Sequence, residues 1–392
     1  MMTARLGREV SSLVRGWARP LSLALLTLLA GGCGKGIFST TSSSGSGSGG
    51  TTGTARSVYV TNFGDGLVSA LNRGGAGALN SPLTSSAGSA SGPLGLAVTP
   101  KLTALYVANP ADQLIHEFTL SANGNLAALS TIATGTNPQQ PVVIPAGSFA
   151  YSINAGGSIS EYTVDATSGN LTANTTASTT SGLILPISGV ATNSFLYVTD
   201  QQGGTGVVLT FAINADGTLA SGPSSTPSLG FPGGAAVPNQ IIIDPTHTWV
   251  FVSDGAVGRV SLFQVVGSGL NFLKSSLTSA PGTAEAGLLY LKKGSNIFIY
   301  CADQAANSVS VFLFNPLTQT LTLTGASPPG SVNTPIGLAA AGNNLYVTNN
   351  ALGTVTKFDI DSGSGALSNP TDVFTESPAN ALSAPASILI TK

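Results

Sequence analysis

The chain has 392 residues, of which only 8% are Asp, Glu, Lys or Arg, against roughly 25% in an ordinary soluble domain. A formal net charge of −2 excludes the strongly basic surface that nucleic-acid-binding domains use. The 49 glycines, and the lack of a long helical apolar period beyond the N-terminus, favour many tight turns over helices.

The N-terminus predicts an export signal over residues 1–32. A positively charged segment containing Arg5, Arg8, Arg15 and Arg19 precedes an apolar run over 21–30, which is too short to span a bilayer core of roughly 30 Å as a helix. The run ends in Leu29-Ala30-Gly31-Gly32-Cys33, which resembles the lipobox of bacterial lipoproteins, with Ala30 where the family usually has a larger aliphatic residue. The resemblance implies lipidation of Cys33; a plain secretory signal with an incidental cysteine is the alternative. Because Gly34 follows, without an Asp-type retention signal, we expect an outer-membrane destination.

Residues 33–55 are rich in Ser, Gly and Thr and predict a flexible tether. The spacing Gly45-x-Gly47-x-x-Gly50 matches a dinucleotide fingerprint, but no strand precedes it and no helix follows, so that interpretation is rejected. The chain has 2 cysteines, so lipidation of Cys33 would leave Cys301 without a disulfide partner. We interpret Cys301 as a buried apolar residue in a strand.

One five-residue pattern organises the rest of the chain. An aromatic residue lies inside a short β-branched run that ends three residues later in Asn or Asp. The aromatic residues recur at intervals of 45 to 54 residues, as Tyr59, Tyr106, Tyr151, Tyr197, Phe251, Tyr300 and Tyr346. A period of this length built from strands alone predicts an all-β, seven-bladed β-propeller over residues 56–392.

The second repeat predicts four antiparallel strands per blade, which we name A to D in chain order. Strand A covers 94–98, strand B 104–108, strand C 115–120 and strand D 126–132. Gly-x-Leu opens strand D in five repeats, at Gly77, Gly124, Gly169, Gly217 and Gly365. The first repeat begins directly at strand B, and a seventh strand A follows at 386–390. We therefore expect the C-terminal strand to pair with 57–61 and to close the ring.

The Asn and Asp residues that end the seven B strands should gather at one end of the ring. In the simpler interpretation each side chain caps a turn by accepting nearby backbone N–H groups. In the functional interpretation Asp200, Asp254 and Asp303 form an acidic sector of the axial mouth. The D–A loops would then bring polar side chains to the same mouth, namely Gln139, Gln140, Asn239, Gln240 and Glu285.

Two stretches, Pro238–Pro245 and Trp249–Asp254, resemble the lactonase-type seven-bladed propellers, as do Asp165–Leu171 and the Tyr-Val-Thr-Asn runs, which also resemble YVTN-repeat surface proteins. The resemblance covers about 56–392. It implies this fold and a lactone hydrolase activity of the 6-phosphogluconolactonase-like or carboxy-muconate cyclase-like kind. However, the family's Arg-His pair on strand A is replaced by Asn239 and Gln240, and the acid expected after Asp254 is Gly255. The cation that would bind an anionic substrate and the general base are thus both missing.

If hydrolysis survives, Asp254 or Asp200 would activate water, while Asn239 and Gln240 orient the lactone carbonyl and Arg259 is the nearest cation. His116 on a strand C and His247 in an A–B turn lie away from that mouth. No spacing typical of a zinc or calcium site and no Gly-x-Ser-x-Gly elbow is present, so we predict no metal and no cofactor.

Two hypotheses of function follow. One is an envelope-anchored propeller with a degenerate lactonase site, which binds a small lactone or sugar-like ligand, or an envelope protein or glycan. The other is an active lactone hydrolase. In both we expect a monomer in the bacterial cell envelope, on the outer-membrane, periplasmic or extracellular side, held to the membrane by its lipid anchor only.

Overall fold

The computed structural model describes residues 57–80, 83–88, 92–174, 183–202, 206–222, 236–281, 285–374 and 384–391. The predicted signal peptide and tether, including Cys33, lie outside these residues. The described residues form strands and one short 3₁₀ turn, Gly75–Gly77.

The strands group into seven antiparallel sheets, each one blade. Blade one contains β1 (Ser57–Asn62), β2 (Leu67–Asn72) and β3 (Leu83–Ser86). Blade two contains β4 (Leu96–Val98), β5 (Ala104–Asn109), β6 (Leu114–Leu120) and β7 (Leu126–Ala133). Blade three contains β8 (Pro138–Val143), β9 (Phe149–Asn154), β10 (Ser158–Val164) and β11 (Leu171–Ala173). Blade four contains β12 (Pro186–Ala191), β13 (Phe195–Asp200) and β14 (Val207–Ala212). Blade five contains β15 (Pro238–Ile243), β16 (Trp249–Asp254), β17 (Arg259–Val266) and β18 (Gly269–Leu277). Blade six contains β19 (Glu285–Lys293), β20 (Asn296–Asp303), β21 (Ser308–Asn315) and β22 (Thr320–Ala326). Blade seven contains β23 (Pro335–Ala341), β24 (Asn344–Asn349), β25 (Thr354–Ile360) and β26 (Leu367–Phe374). The final strand is β27 (Pro385–Ile390).

The predicted closure is confirmed. The strand β27 pairs antiparallel with β1, with Val58 opposite Ile390 and Val60 opposite Ile388, and completes blade one as its strand A. Six blades have four strands. In blade four the described residues form three, and a single bridge between Ile213 and Leu219 stands where Gly-x-Leu predicted the start of a strand D.

The A strands line the axis, where each contacts the A strands of both neighbouring blades. They are buried on both faces, so they are nearly continuous apolar runs such as Ile241–Ile243. The aromatic residues of strands B and C fill the space between blades: Phe358 of blade seven packs in one cluster with Phe298 and Tyr300 of blade six.

The repeated tyrosine and the repeated Gly-x-Leu form one inter-blade contact. The Tyr346 hydroxyl donates a hydrogen bond to the Gly77 carbonyl oxygen (2.8 Å), and Tyr106 donates to that of Gly169 (2.5 Å). The same bond joins Tyr59 to Gly124, Tyr151 to Gly217 and Tyr300 to Gly365. Each glycine has a positive φ, and an added Cβ would collide with the neighbouring blade, so glycine is required there.

The two ends of the ring differ in the connections that they carry. We call the end with the B–C turns and D–A connections the B–C face; it includes Asn62, where β1 ends. We call the other end the A–B face; it includes the A–B turns 99–103 and 244–248. Because all B strands run in the same direction, the Asn and Asp residues that end them share the B–C face.

Candidate functional site

The seven Asn and Asp residues at the ends of the B strands are buried below the B–C face. Each has 0–1% of its surface exposed, for Asn62, Asn109, Asn154, Asp200, Asp254, Asp303 and Asn349. The Asn349 amide, for example, donates to the Thr354 and Thr356 hydroxyls of the next strand, while its oxygen accepts the Asn333 N–H. These side chains therefore join strand B to the D–A connection and to strand C, as the capping interpretation expects.

Asp200 accepts hydrogen bonds from two backbone N–H groups of the D–A connection that leads into its blade. One carboxylate oxygen accepts the Leu185 N–H at 2.8 Å and the other accepts the Ile184 N–H at 2.9 Å. The side chain is 0% exposed. In this arrangement Asp200 fixes a loop, and a substrate could reach its oxygens only if that loop moved.

Asp254 combines the same loop contact with an ion pair. Its Oδ1 accepts the Val237 and Ala256 N–H groups at 2.8 and 3.0 Å, and its Oδ2 accepts Arg259 Nε at 2.9 Å. The second guanidinium nitrogen lies 2.7 Å from the same Oδ2. Arg259, the cation predicted beside this mouth, is 5% exposed and is paired with Asp254.

Asp303 differs from the other two carboxylates because hydroxyls and the Cys301 thiol, not N–H groups, surround it. Its Oδ2 accepts hydrogen bonds from Ser310 (2.6 Å), Ser308 (3.0 Å) and Ser279 (3.3 Å), and its Oδ1 is buried without a hydrogen-bond partner. Burial raises the pKa of Asp303 to about 6, against the lowering effect of the serine hydroxyls. Glu285, predicted at the same mouth, lies opposite Asp303 in the strand register.

The amides predicted to line the mouth tie neighbouring blades together. Gln140 Oε1 accepts the Ser188 hydroxyl at 2.7 Å and the Gly189 N–H at 3.1 Å, both on the next blade. Gln240 Oε1 accepts the Leu288 N–H of the following blade. The Asn239 side-chain oxygen accepts a hydrogen bond from Gln201, in the B–C turn of blade four, and Gln139 donates to Asn137 in the D–A connection before its own strand.

A hydroxyl residue precedes four of the seven strand-end Asn and Asp residues and explains this placement, at Thr61, Thr199, Ser253 and Thr348. Strand A carries a bulge near its start in blade four, and the Thr199 hydroxyl accepts the Ser188 N–H there at 3.0 Å. The same hydroxyl donates to the Asn239 carbonyl oxygen of blade five at 2.9 Å. Ser253 repeats the arrangement by donating to Ala286 of blade six at 3.1 Å. The Thr-Asn and Ser-Asp pairs of the repeat are therefore inner-ring linkers.

A cavity of about 290 Å³ opens near the axis on the opposite, A–B face. Its walls come from the A strands and A–B turns of blades two to six, and they are mainly apolar, with Leu102, Val143, Ile242 and Leu289 among them. Gln140 is the one predicted site residue that also lines it. Sequence reasoning missed this cavity, because the predicted polar residues all pointed to the other face.

The polar groups of this cavity are few, and two of them, Asp244 and His247, belong to one tight turn. Asp244 is 2% exposed, and its oxygens accept the Thr248 and Trp249 N–H groups, both at 2.7 Å. This turn holds His247 with φ of 55° on the cavity wall. Burial, and secondly the charge of Asp244, raise the pKa of Tyr290 to about 12, so the phenol stays protonated near neutral pH.

The other titratable groups do not assemble into a reactive cluster. His116 contacts Asp112 at 2.9 Å on strand C of blade two, away from the cavity. Cys301 is buried, as predicted. Among the residues that the structure describes, no group of three or more His, Cys, Asp or Glu could hold a metal ion, and no helix has the length and apolarity that membrane crossing requires.

Comparison with known proteins identifies the fold. No curated protein matches this chain. A solved structure from Bacteroides fragilis, described as a "putative 6-phosphogluconolactonase", has a TM-score of 0.71 at 18% identity, covering 88% of this chain and 100% of that one. The periplasmic gluconolactonase of Pseudomonas aeruginosa has a TM-score of 0.67 at 15% identity, covering 86% and 99%. At these identities the likeness shows the fold alone. A sequence model described as "Lactonase, 7-bladed beta-propeller" matches residues 104–378, so the chain belongs to the seven-bladed lactonase family of β-propellers.

Proposed function

We propose that this protein is an envelope-anchored binding propeller whose lactonase site is degenerate and whose axial cavity on the A–B face holds a small uncharged ligand. The observation that carries the proposal is the composition of that cavity. Its lining contains no Lys or Arg, and its one carboxylate, Asp244, is already occupied by backbone N–H groups.

An anionic ligand would be poorly accommodated in such a cavity. A phosphate or carboxylate group buried there would lose its hydration without gaining a cationic partner. The apolar walls instead suit a ring or a short hydrocarbon chain, and the His247 side chain on the wall is placed to orient one polar end. On the B–C face, the carboxylates of Asp200 and Asp254 are buried and hydrogen-bonded, which supports the degenerate-site hypothesis.

Binding can be tested with three lactones on the full-length protein. We expect glucono-1,5-lactone or the alkyl lactone δ-decalactone to raise the melting temperature, and 6-phosphogluconolactone to have no effect. Leu102→Asn should weaken binding about five- to tenfold, since a half-buried leucine contributes roughly 1–1.5 kcal/mol of apolar contact. Asn tolerates the positive φ of 56° at this position.

Gln113→Asn is the matched control, because Gln113 also has a positive φ, 61°, but lies in a B–C turn. Binding of the phosphorylated lactone as tight as that of the uncharged ones would contradict the proposal. So would a Leu102→Asn variant that binds as tightly as the Gln113→Asn variant.

The alternative is an active lactone hydrolase, and two observations favour it: the family to which the chain belongs, and the imidazole of His247 on the cavity wall. Acid release from glucono-1,5-lactone tests it, at a temperature where circular dichroism shows every variant folded. A rate lost only in His247→Asn would assign hydrolysis to the A–B face. A rate lost in Asp254→Asn or Asp200→Asn would assign it to the B–C face. If the wild-type protein releases acid no faster than the lactone ring opens spontaneously, the hydrolase alternative is refuted and the binding function remains.

Anchoring through Cys33 is a part of the proposal that can be tested separately. Metabolic labelling with radioactive palmitate should mark the wild-type protein and disappear in Cys33→Ser. Cys301→Ser is the control, since Cys301 is buried and should not influence labelling. Labelling that persists in Cys33→Ser would contradict a lipoprotein anchor.

A further inference from the structure

The lysines around the cavity mouth give the A–B face a local positive charge. Lys101, Lys292 and Lys293 lie at the A–B turns of blades two and six, and Lys101 and Lys292 are exposed. Within the described A–B turns the one acid is Asp244, which is 2% exposed and bonded to its own turn.

The exposed acids of this face lie further out, in the C–D turns at the rim and at Asp359 of strand C in blade seven, which pairs with Lys357. Asp165, Asp216 and Asp361 each accept hydrogen bonds from a Ser or Thr of their own turn. On the B–C face, Asp65, Asp112 and Asp372 are at least partly exposed, and Arg259 is paired with Asp254. Positive charge is thus concentrated around the axis on the cavity side.

The chain also enters the propeller on this side. Ser57 begins β1 at the A–B face, where it lies opposite Asn72 and its carbonyl oxygen accepts the Thr391 N–H. Cys33 precedes Ser57 by 24 residues in the sequence. The tether predicted from the sequence would have an r.m.s. span of about 27 Å at that length, from roughly 5.5 Å × √24.

We propose that the A–B face docks on an anionic bilayer and that the hydrocarbon chain of a membrane lipid enters the axial cavity. The inference deepens the proposed function, since it rests on the proposed anchor at Cys33 and names a lipid acyl chain as the cavity's ligand. A lipid chain satisfies both features of the face, because its apolar part matches the cavity walls and its anionic headgroup meets the lysines. The volume of about 290 Å³ equals that of about ten liquid water molecules at ~30 Å³ each, which is enough for the end of one chain and too little for a whole lipid.

The orientation can be measured on the full-length protein, purified from bacterial membranes and reconstituted into vesicles. A fluorophore is attached to Ala146→Cys, an exposed position in an A–B turn, or to Ala351→Cys, an exposed position in a B–C turn. Quenching by a nitroxide-labelled lipid is compared between vesicles of phosphatidylcholine alone and equal parts of phosphatidylcholine and phosphatidylglycerol.

We expect strong quenching at position 146, weak quenching at 351, and this difference only in the anionic vesicles. Each lysine near the surface should contribute about a fivefold preference for the docked orientation. The pair Lys101→Glu and Lys292→Glu should therefore reduce quenching at 146 to the level at 351, and so should high salt. Lys274→Glu, on the outer strand of blade five, is the matched control and should have no effect.

Three results would overturn the inference: equal quenching at both positions, equal quenching in the two kinds of vesicle, or a Lys274→Glu effect as large as that of the pair. A chain that fails to float with vesicles would refute the anchor as well as the docking. A chain that floats, with both positions equally quenched, would refute the docking alone and leave the anchor and the binding function standing.

Discussion

Asp303 and Asp254 occupy equivalent positions in neighbouring blades, yet the same substitution should change stability in opposite directions. Asp303 is 0% exposed, one of its oxygens has no hydrogen-bond partner, and burial raises its pKa from 3.8 to about 6. A raised pKa means that the folded state binds the proton more tightly than the unfolded state. The corresponding stability is fully present below pH 3.8 and is lost as the pH rises through 6.

The magnitude follows from the size of the shift. A difference of 6 − 3.8, or about 2.2 pH units, corresponds to roughly 3 kcal/mol at about 1.4 kcal/mol per unit. Asp303→Asn removes the charge and keeps an oxygen that can accept the serine hydroxyls. We therefore expect the variant to be about 3 kcal/mol more stable than wild type at pH 7.5, and nearly equal to it at pH 4.

Asp254→Asn is the matched control. It leaves Arg259, which is 5% exposed, without its carboxylate partner, and loss of one member of a buried ion pair costs about 3–5 kcal/mol. Urea denaturation of both variants at pH 4 and pH 7.5 measures the free energies of unfolding. The reasoning is refuted if Asp303→Asn is less stable than wild type at pH 7.5, or if its difference from wild type is the same at both pH values.

Three further predictions concern the contacts that hold the ring together. Tyr151→Phe should cost about 1–3 kcal/mol, whereas Tyr197→Phe should be neutral or stabilising because its buried hydroxyl has no hydrogen-bond partner; equal urea midpoints would contradict the role of the inter-blade bond. Gly169→Ala should cost about 2–4 kcal/mol, because the new Cβ would lie 2.4 Å from a neighbouring Cβ, against about 1 kcal/mol for Gly222→Ala, where nothing lies within 4 Å; similar costs would show that backbone strain alone matters. Truncation before Pro385 removes strand A of blade one and should abolish the cooperative unfolding transition, and a truncated chain that melts like wild type would contradict closure by β27.

The fold could be predicted because its information is local and repeated. The interval between aromatic residues gave the number of blades, and the first repeat's missing strand A indicated that β27 closes the ring. The bond between each tyrosine and the next blade's Gly-x-Leu was missed, although a signal existed. Gly-x-Leu is absent from blades five and six. The repeated aromatic residue of the blade before each of them cannot make the bond: Tyr197 of blade four has a hydroxyl without a hydrogen-bond partner, and Phe251 of blade five has no hydroxyl.

The candidate site was less accessible to sequence reasoning. The direction of strand B places Asp200 and Asp254 on one face, but the D–A backbone that covers their oxygens depends on tertiary structure. The cavity on the A–B face depends on the spacing of the inner strands, which no sequence pattern encodes. His247 was set aside because it lies away from Asp254, and its position beside a cavity became visible only in three dimensions.

The pairing of β27 with β1 also determines when this protein can finish folding. The Ser387 N–H donates to the Thr61 hydroxyl across 326 residues of sequence, so the N-terminal strand must wait for nearly all of the propeller to be synthesised. Until then β1 keeps one edge unpaired while later blades assemble beside it, which exposes a nascent chain to edge-to-edge aggregation and to proteolysis. Secretion would lengthen that interval, because a chain that passes through an export channel emerges with β1 first and β27 last. Chaperones that cover an open strand edge are thus the factors on which the yield of this protein should depend most.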